Sequence, residues 1–275
     1  MNEQVKIRTI TIEEYEKGKI PDLNYYGAEA TDLALYCGLY SGETSIDDEA
    51  VRYGTFHLDF GEIYDEKLNG NFFPIGYSDP KKYNEPSFGK KHSAHYYHKS
   101  SEYQFLTIGV RPILEISSPS FFDSFGNNPT LLKVGEYPQY VVGKIMDKKL
   151  DELQKSGDLK KTGKSYTLGN NIYHYGNSVS KDLNPQVCEE YEYDGKKYVK
   201  VKQCNKTFNY SRKLSDMGYG AEDAWMEVTP VSWIVDKKNN ILISKNILLS
   251  GIHPSELQTY LMDCMFEELS LDVLF

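Results

Sequence analysis

The sequence predicts a strand-rich α+β protein in two parts, and three observations predict it. The 23 Tyr and 12 Phe stand against 6 Met in 275 residues, a balance that suits pleated, half-buried surfaces. Phe56, Leu58 and Phe60 alternate with Thr55, His57 and Asp59, the period of a strand with one wet face. Asp194-Gly195 separates Glu189-Glu190-Tyr191-Glu192-Tyr193 from Lys196-Lys197-Tyr198-Val199-Lys200-Val201-Lys202, a hairpin signal in which a tight turn joins two strands.

In chain order, Thr11-Ile12-Glu13-Glu14 fits a capping box opening a short helix that Gly18 closes. Thr31 caps a second, compact and apolar helix that runs through Cys37 to Gly38 and is expected to be buried. Residues 61–100 carry Asn69-Gly70-Asn71, Pro74, Gly76, Asp79-Pro80, Pro86 and Gly89 with little periodicity, so they read as a long surface loop. Residues 103–116 read as a strand running into a bend. Pro112, which cannot donate to a ladder, marks an edge, a bulge or the strand's end. Residues 117–130 are the expected linker. Beyond it, Val142, Ile145, Met146, Leu150 and Leu153 recur at helical spacing up to Gly157. A second hairpin joins Trp225–Val235 to Ile241-Leu242-Ile243, and Ser255–Leu269 forms a last helix. The expected parts are residues 1–125, with the long loop 61–100, and residues 131–275. Cross-strand Glu/Lys pairs are expected to link the two arms of the first hairpin.

Charge limits the partners. The chain holds 40 Asp and Glu against 31 Lys and Arg, a formal net charge of −9, which argues against direct binding to nucleic acid. No run approaches the roughly 18 apolar residues of a membrane span. The N-terminus lacks the basic and apolar segments of a secretion signal. Cys37, Cys188, Cys204 and Cys264 show no CxxC spacing. A cytoplasmic protein with reduced thiols is therefore expected. Cys188 and Cys204 flank the first hairpin, and a bridge between them stays open as an alternative.

Several segments recur together in one known group: Gly109-Val110-Arg111-Pro112-Ile113-Leu114, Gly135-Glu136-Tyr137-Pro138-Gln139, Val228-Thr229-Pro230-Val231-Ser232-Trp233, Leu242-Ile243-Ser244-Lys245 and the helix start Thr31-Asp32-Leu33-Ala34. The chain resembles the uncharacterised DUF6273-type family of bacterial and phage-associated proteins. That resemblance implies a C-type-lectin-like N-terminal half, the scaffold shared by lectins, phage receptor-binding proteins and formylglycine-generating enzymes, and it carries over no established activity. Glu85-Pro86-Ser87 only partly matches a sugar-site tripeptide. The motif residues read as structural: Gly135 and Pro138 shape a turn, Trp233 fills a core, and Arg111 bonds backbone carbonyls within the bend.

Candidates for chemistry each have a plainer reading. His92, His95 and His98 have i, i+3, i+6 spacing, but Lys90, Lys91 and Lys99 beside them disfavour a cation. Asp47-Asp48-Glu49 fits a solvated turn better than a calcium site. Cys37, Cys188 or Cys264 could meet His174 or His253 in a catalytic pair, yet Cys37 in an apolar helix is more simply a small core residue. No metal and no cofactor is expected. The primary expectation is a non-enzymatic recognition protein of a bacterium or phage that contacts a protein or glycan through Phe72, Phe73, Tyr77, Tyr83, Tyr96 and Tyr97, because tyrosine gives contact area at low entropy cost. One alternative is an acidic, phage-encoded, anti-CRISPR-like inhibitor of a host nucleic-acid-binding defence enzyme. The other is an enzyme with a His/Cys or His/carboxylate site.

Overall fold

A computed structural model describes residues 5–8, 31–37, 58–60, 74–76, 111–126, 131–169, 185–202, 212–220, 222–249 and 259–271. Among them, the strand-rich expectation holds: eight strands form one antiparallel sheet, few helices are present, and a separate two-stranded pair joins β2 (Leu58–Phe60) to β3 (Pro74–Gly76). The eight are β1 (Val5–Arg8), β4 (Ile113–Ile116), β5 (Leu131–Val141), β6 (Lys160–Leu168), β7 (Gln186–Tyr193), β8 (Lys196–Val201), β9 (Ala224–Asp236) and β10 (Ile241–Ser244).

β9 is the branch of this sheet. Its Met226 and Val228 pair with β8 and also with β5, whereas Trp233 and Ile234 pair with β10 and also with β5. β8 and β10 therefore lie end to end along the edge opposite β5. One wing runs β9-β8-β7-β6, the other β9-β10-β4-β1. The expected boundary near residues 125–131 falls between β4 and β5, and β1 and β4 of the first part share their sheet with β10 of the second.

The ends of the first wing meet. Tyr137 of β5 and Tyr166 of β6 stack edge to face with ring centroids 5.9 Å apart, although these strands do not pair in the sheet. The five strands β5-β9-β8-β7-β6 thus curl into a partly open barrel with a seam between β5 and β6. Its interior holds Tyr137, Tyr166, Leu168, Cys188, Val199, Val201, Ala224 and Met226. Across the wing, helix α2 (Lys144–Ser156) sets Leu150, Met146 and Leu153 on Trp225 and Tyr198. Gly157 closes α2 at φ 82°, as its sequence position requires.

Bulges make the curl possible. In β9, Ala224, Met226 and Val228 face the core, and then Val231, Trp233 and Val235 do, so the alternation changes phase across Thr229-Pro230. Opposite this step β5 has register irregularities between Lys133 and Glu136 and between Pro138 and Tyr140, where extra residues bend the strand and increase its twist. Pro230 needs no ladder donor at such a place. The Gln139 amide fills the irregularity: Nε2 lies 2.9 Å from Thr229 O, 2.8 Å from Thr229 Oγ1 and 3.2 Å from Pro230 O. Gly135 and Pro138 therefore belong to a bulged strand and not to a turn. Gln139→Ala leaves those part-buried acceptors without this donor, and we expect a loss of about 0.5–1.5 kcal/mol in chemical denaturation.

The first hairpin forms as expected, with Asp194 and Gly195 at φ 51° and 70°, the left-handed pair that a two-residue turn needs. Its charges pair differently from expectation. Glu192 lies opposite Lys197 in register, yet the β7 acids bond to β6 (Lys160–Glu192, Lys161–Glu189) and the β8 lysines bond to β9 and β5 (Lys196–Glu227, Lys197–Glu136). Each arm turns its charges away from the other, to strands outside the hairpin, and exposed pairs of this kind add little stability.

α1 (Asp32–Tyr36) is buried throughout, with Thr31 Oγ1 accepting the Ala34 N–H at 3.2 Å. Pro112 directly precedes β4, a strand paired on both edges by β1 and β10, and so stands at the start of that strand, while residues 103–110 lie outside the described residues. Residues 117–126 are no spacer: a 3₁₀ turn at Pro119–Ser124 anchors Phe122 in the core, with Phe121 edge-on at 5.0 Å. The last helix is described over residues 259–268 and widens to a π-turn at Leu261–Met265 before α3 (Phe266–Glu268).

Candidate functional site

Phe72, Phe73, Tyr77, Tyr83, Tyr96 and Tyr97 lie outside the described residues. So do Asp47-Asp48-Glu49, His92, His95, His98, His174, His253, Cys204 and the helix expected at residues 11–18. Among the described residues, no group of three or more His, Cys, Asp or Glu is placed to hold a metal ion. The structure does place the motif residues other than Gly109 and Val110, and the three other cysteines.

The motif residues assemble the fold's joints. Arg111 donates from Nε to Ser244 O at 3.0 Å, a carbonyl at the end of β10. Trp233 is fully buried and donates from Nε1 to Val134 O at 2.9 Å. Gly135, at φ 71°, lets the terminal helix approach: a Cβ there would stand 2.9 Å from Leu269 O. The Leu269 carbonyl in turn accepts the neighbouring Glu136 N–H at 3.2 Å.

Around the barrel seam lies a buried polar network that the sequence reading missed. The Tyr260 hydroxyl donates to Thr167 O, so the Tyr137 hydroxyl, 3.0 Å away, donates to Tyr260. Glu268 Oε1 accepts the Thr167 N–H. Two side chains of the terminal segment thus occupy both backbone groups of one β6 residue, the role a neighbouring strand would play. Lys164 Nζ donates to Glu268 O at 2.5 Å and to Ser270 Oγ at 2.9 Å, capping the helix end as a cation should. One layer deeper, Glu190 accepts from Tyr166 at 3.0 Å and from Thr162 Oγ1 at 2.7 Å. Burial raises the Tyr137, Tyr166 and Tyr260 hydroxyls far above their ordinary range, so all three stay neutral donors.

No protein-family model, no curated protein and no solved structure matches this chain. The functional argument therefore stays with the residues themselves.

A second acidic knot fastens α2. Asp147 Oδ1 accepts the Trp225 backbone N–H at 2.9 Å, and Asp151, one turn on, accepts the Trp225 indole N–H at 2.8 Å and Lys200 Nζ at 2.7 Å. Burial raises the Asp147 carboxyl against the lowering pull of Trp225, Tyr219 and Lys144. At Asp151 the burial effect is outweighed by the Lys200 and Trp225 bonds, and its carboxyl is lowered. The Tyr219 hydroxyl accepts the Gly143 N–H at 2.9 Å, while its ring carries Lys144 Nζ at 4.1 Å. Asp32 Oδ2 accepts the Val141 N–H at 3.1 Å, tying α1 to the end of β5.

Two of the three described cysteines, Cys37 and Cys188, are buried in the core. Cys37 caps α1 inside the core, and the buried Cys188 thiol donates to Gln186 Oε1 at 3.5 Å. Burial, and then Glu268, raise the Cys264 thiol, which suppresses the thiolate that attacks. The described carboxylates hold backbone amides, hydroxyls and an indole.

Proposed function

We propose that this is a non-enzymatic recognition protein that binds a protein or glycan partner through the aromatic-rich segment between β3 and β4. The observation that carries the reading is the anchoring of that segment. It returns to the sheet at β4, a strand hydrogen-bonded on both edges, with Arg111 and Pro112 tied to Ser244 at the point of return. Binding residues are characteristically displayed on loops that a rigid scaffold holds. The same segment supplies Tyr77, Tyr83, Tyr96 and Tyr97, with Phe72 and Phe73 just ahead of β3.

The likeness of the N-terminal part to C-type-lectin-like scaffolds, and of the whole to the DUF6273-type bacterial and phage-associated proteins, belongs to this proposal, as does a cytoplasmic setting. Among the described residues no helix is long and apolar enough to cross a membrane. The net charge of −9 favours one second reading, an acidic inhibitor that occupies the basic channel of a nucleic-acid-binding enzyme, since acidic surfaces steer such encounters.

Replacing Tyr96 and Tyr97 with alanine is expected to abolish capture of the partner, on glycan arrays and from host lysate, while the melting temperature stays within a few degrees. Undiminished capture by the double variant removes these residues from the site. Capture that survives the substitution but disappears with added salt transfers the proposal to the acidic inhibitor.

A further inference from the structure

The terminal segment is the only element among the described residues that bonds to both lips of the barrel seam. It meets β5 through Leu269 O and the Glu136 N–H, and β6 through Glu268, Tyr260 and Lys164. Its fastening is asymmetric at one atom. Glu268 Oε1 is held by Thr167, whereas Oε2 is buried with no hydrogen-bond partner. Lys164, the nearest cation on β6, spends its bonds on the Glu268 carbonyl and on Ser270 rather than on the carboxylate. A neutral carboxyl tolerates such a place far better than an ionised one.

We propose that residues 260–270 form a proton-dependent latch across the β5–β6 seam, fastened while the Glu268 carboxyl is neutral and loosened when it ionises. The groups facing it set the balance. β6 offers Lys164 and the neutral Tyr166; β5 offers Tyr137 and Glu136, the latter paired with Lys197 of β8; β7 offers Glu190, already bonded to Tyr166 and Thr162. α1 contributes Cys37 to the same core, β1 turns Val5 and Ile7 inward, and Arg8 is bonded to Glu115. The segment itself adds Tyr260, Cys264 and Glu267. Burial raises the Glu268 carboxyl from 4.5 to about 7, against the lowering influence of Thr167 and Lys164, with Glu267 adding to the rise.

The sign follows from linkage. An opened segment releases its proton near the ordinary carboxyl value, whereas the latched one keeps it to about 7. Rising pH therefore favours opening throughout that window, and the effect levels off above it. Hydrogen exchange on the full chain, corrected for intrinsic rate, reads the result. Opening of residues 160–168 and 259–271 should increase roughly tenfold or more between about pH 5.5 and about pH 8. Glu268→Gln should be well protected and flat across this range, and Glu267→Gln should behave as the wild type. A wild-type profile as flat as that of Glu268→Gln, or an equal slope in both, overturns the latch. Should Glu268→Gln not fold, a carboxyl ¹³C titration of the wild type decides: a Glu268 midpoint in the ordinary carboxylate range overturns the proposal, and one near neutrality supports it.

Discussion

Trp233→Ala is expected to lose about 3–5 kcal/mol of folding stability, the cost of emptying a large aromatic site in a packed core. The position makes the upper end of that range the expected one. Trp233 pairs with Leu132 of β5 on one side and Ser244 of β10 on the other, so it stands where the two wings divide. Its ring is fully buried and its indole N–H is bonded to Val134 O beside the first β5 bulge. Removing the ring opens a cavity at the branch and leaves a buried carbonyl without its donor, and the two losses add. Trp233→Phe separates them, because it keeps most of the apolar surface and forfeits the bond. Urea denaturation of both variants should rank alanine well below phenylalanine. Equal stabilities would show that packing at the branch contributes little.

Short-range signals in this sequence were legible wherever a local rule sufficed. Asp194-Gly195, the Thr31 cap, the α2 periodicity ending at Gly157 and the β9–β10 hairpin all rest on contacts within a few residues, and the structure has each of them. The irregular features were not legible in the same way. Gly135 and Pro138 suggest a turn by composition, but their conformations are set by β9 and Leu269, which are remote in sequence. Hairpin charges suggest pairing across the turn, whereas strand order gives each arm a second neighbour. Residues 117–130 look like a linker because Phe122 finds its core only once the sheet exists.

The seam network left one readable trace. Cys188 and Glu190 share a face of β7, and both are buried, so an acid stands in an apolar register. A charged residue at a core-facing position implies partners from elsewhere, and here they are Tyr166 and Thr162. Glu268 carried no such sign, since its burial depends on how the terminal helix meets β5 and β6.

Gly135→Ala should be the most damaging substitution of a glycine among those described, and comparison with Gly157→Ala isolates the reason. Both glycines have positive φ, 71° and 82°, so both replacements incur about 1–2 kcal/mol for a left-handed L-residue. At Gly157 nothing lies within 4 Å of the added Cβ, and the cost should end there. At Gly135 the Cβ would meet Leu269 O at 2.9 Å and Leu271 Cδ2 at 3.0 Å, and forcing apart such a contact adds about 1–3 kcal/mol. The backbone oxygen cannot swing aside, because it also accepts the Glu136 N–H that joins the terminal segment to β5. The damage should therefore be local as well as global: hydrogen exchange in residues 259–271 of Gly135→Ala should rise toward that of the unfastened segment, while α2, remote from the seam, keeps its protection. Equal losses at the two glycines would mean that the helix approaches β5 less closely than the bulge implies, and the bulge would then serve only to bend the strand.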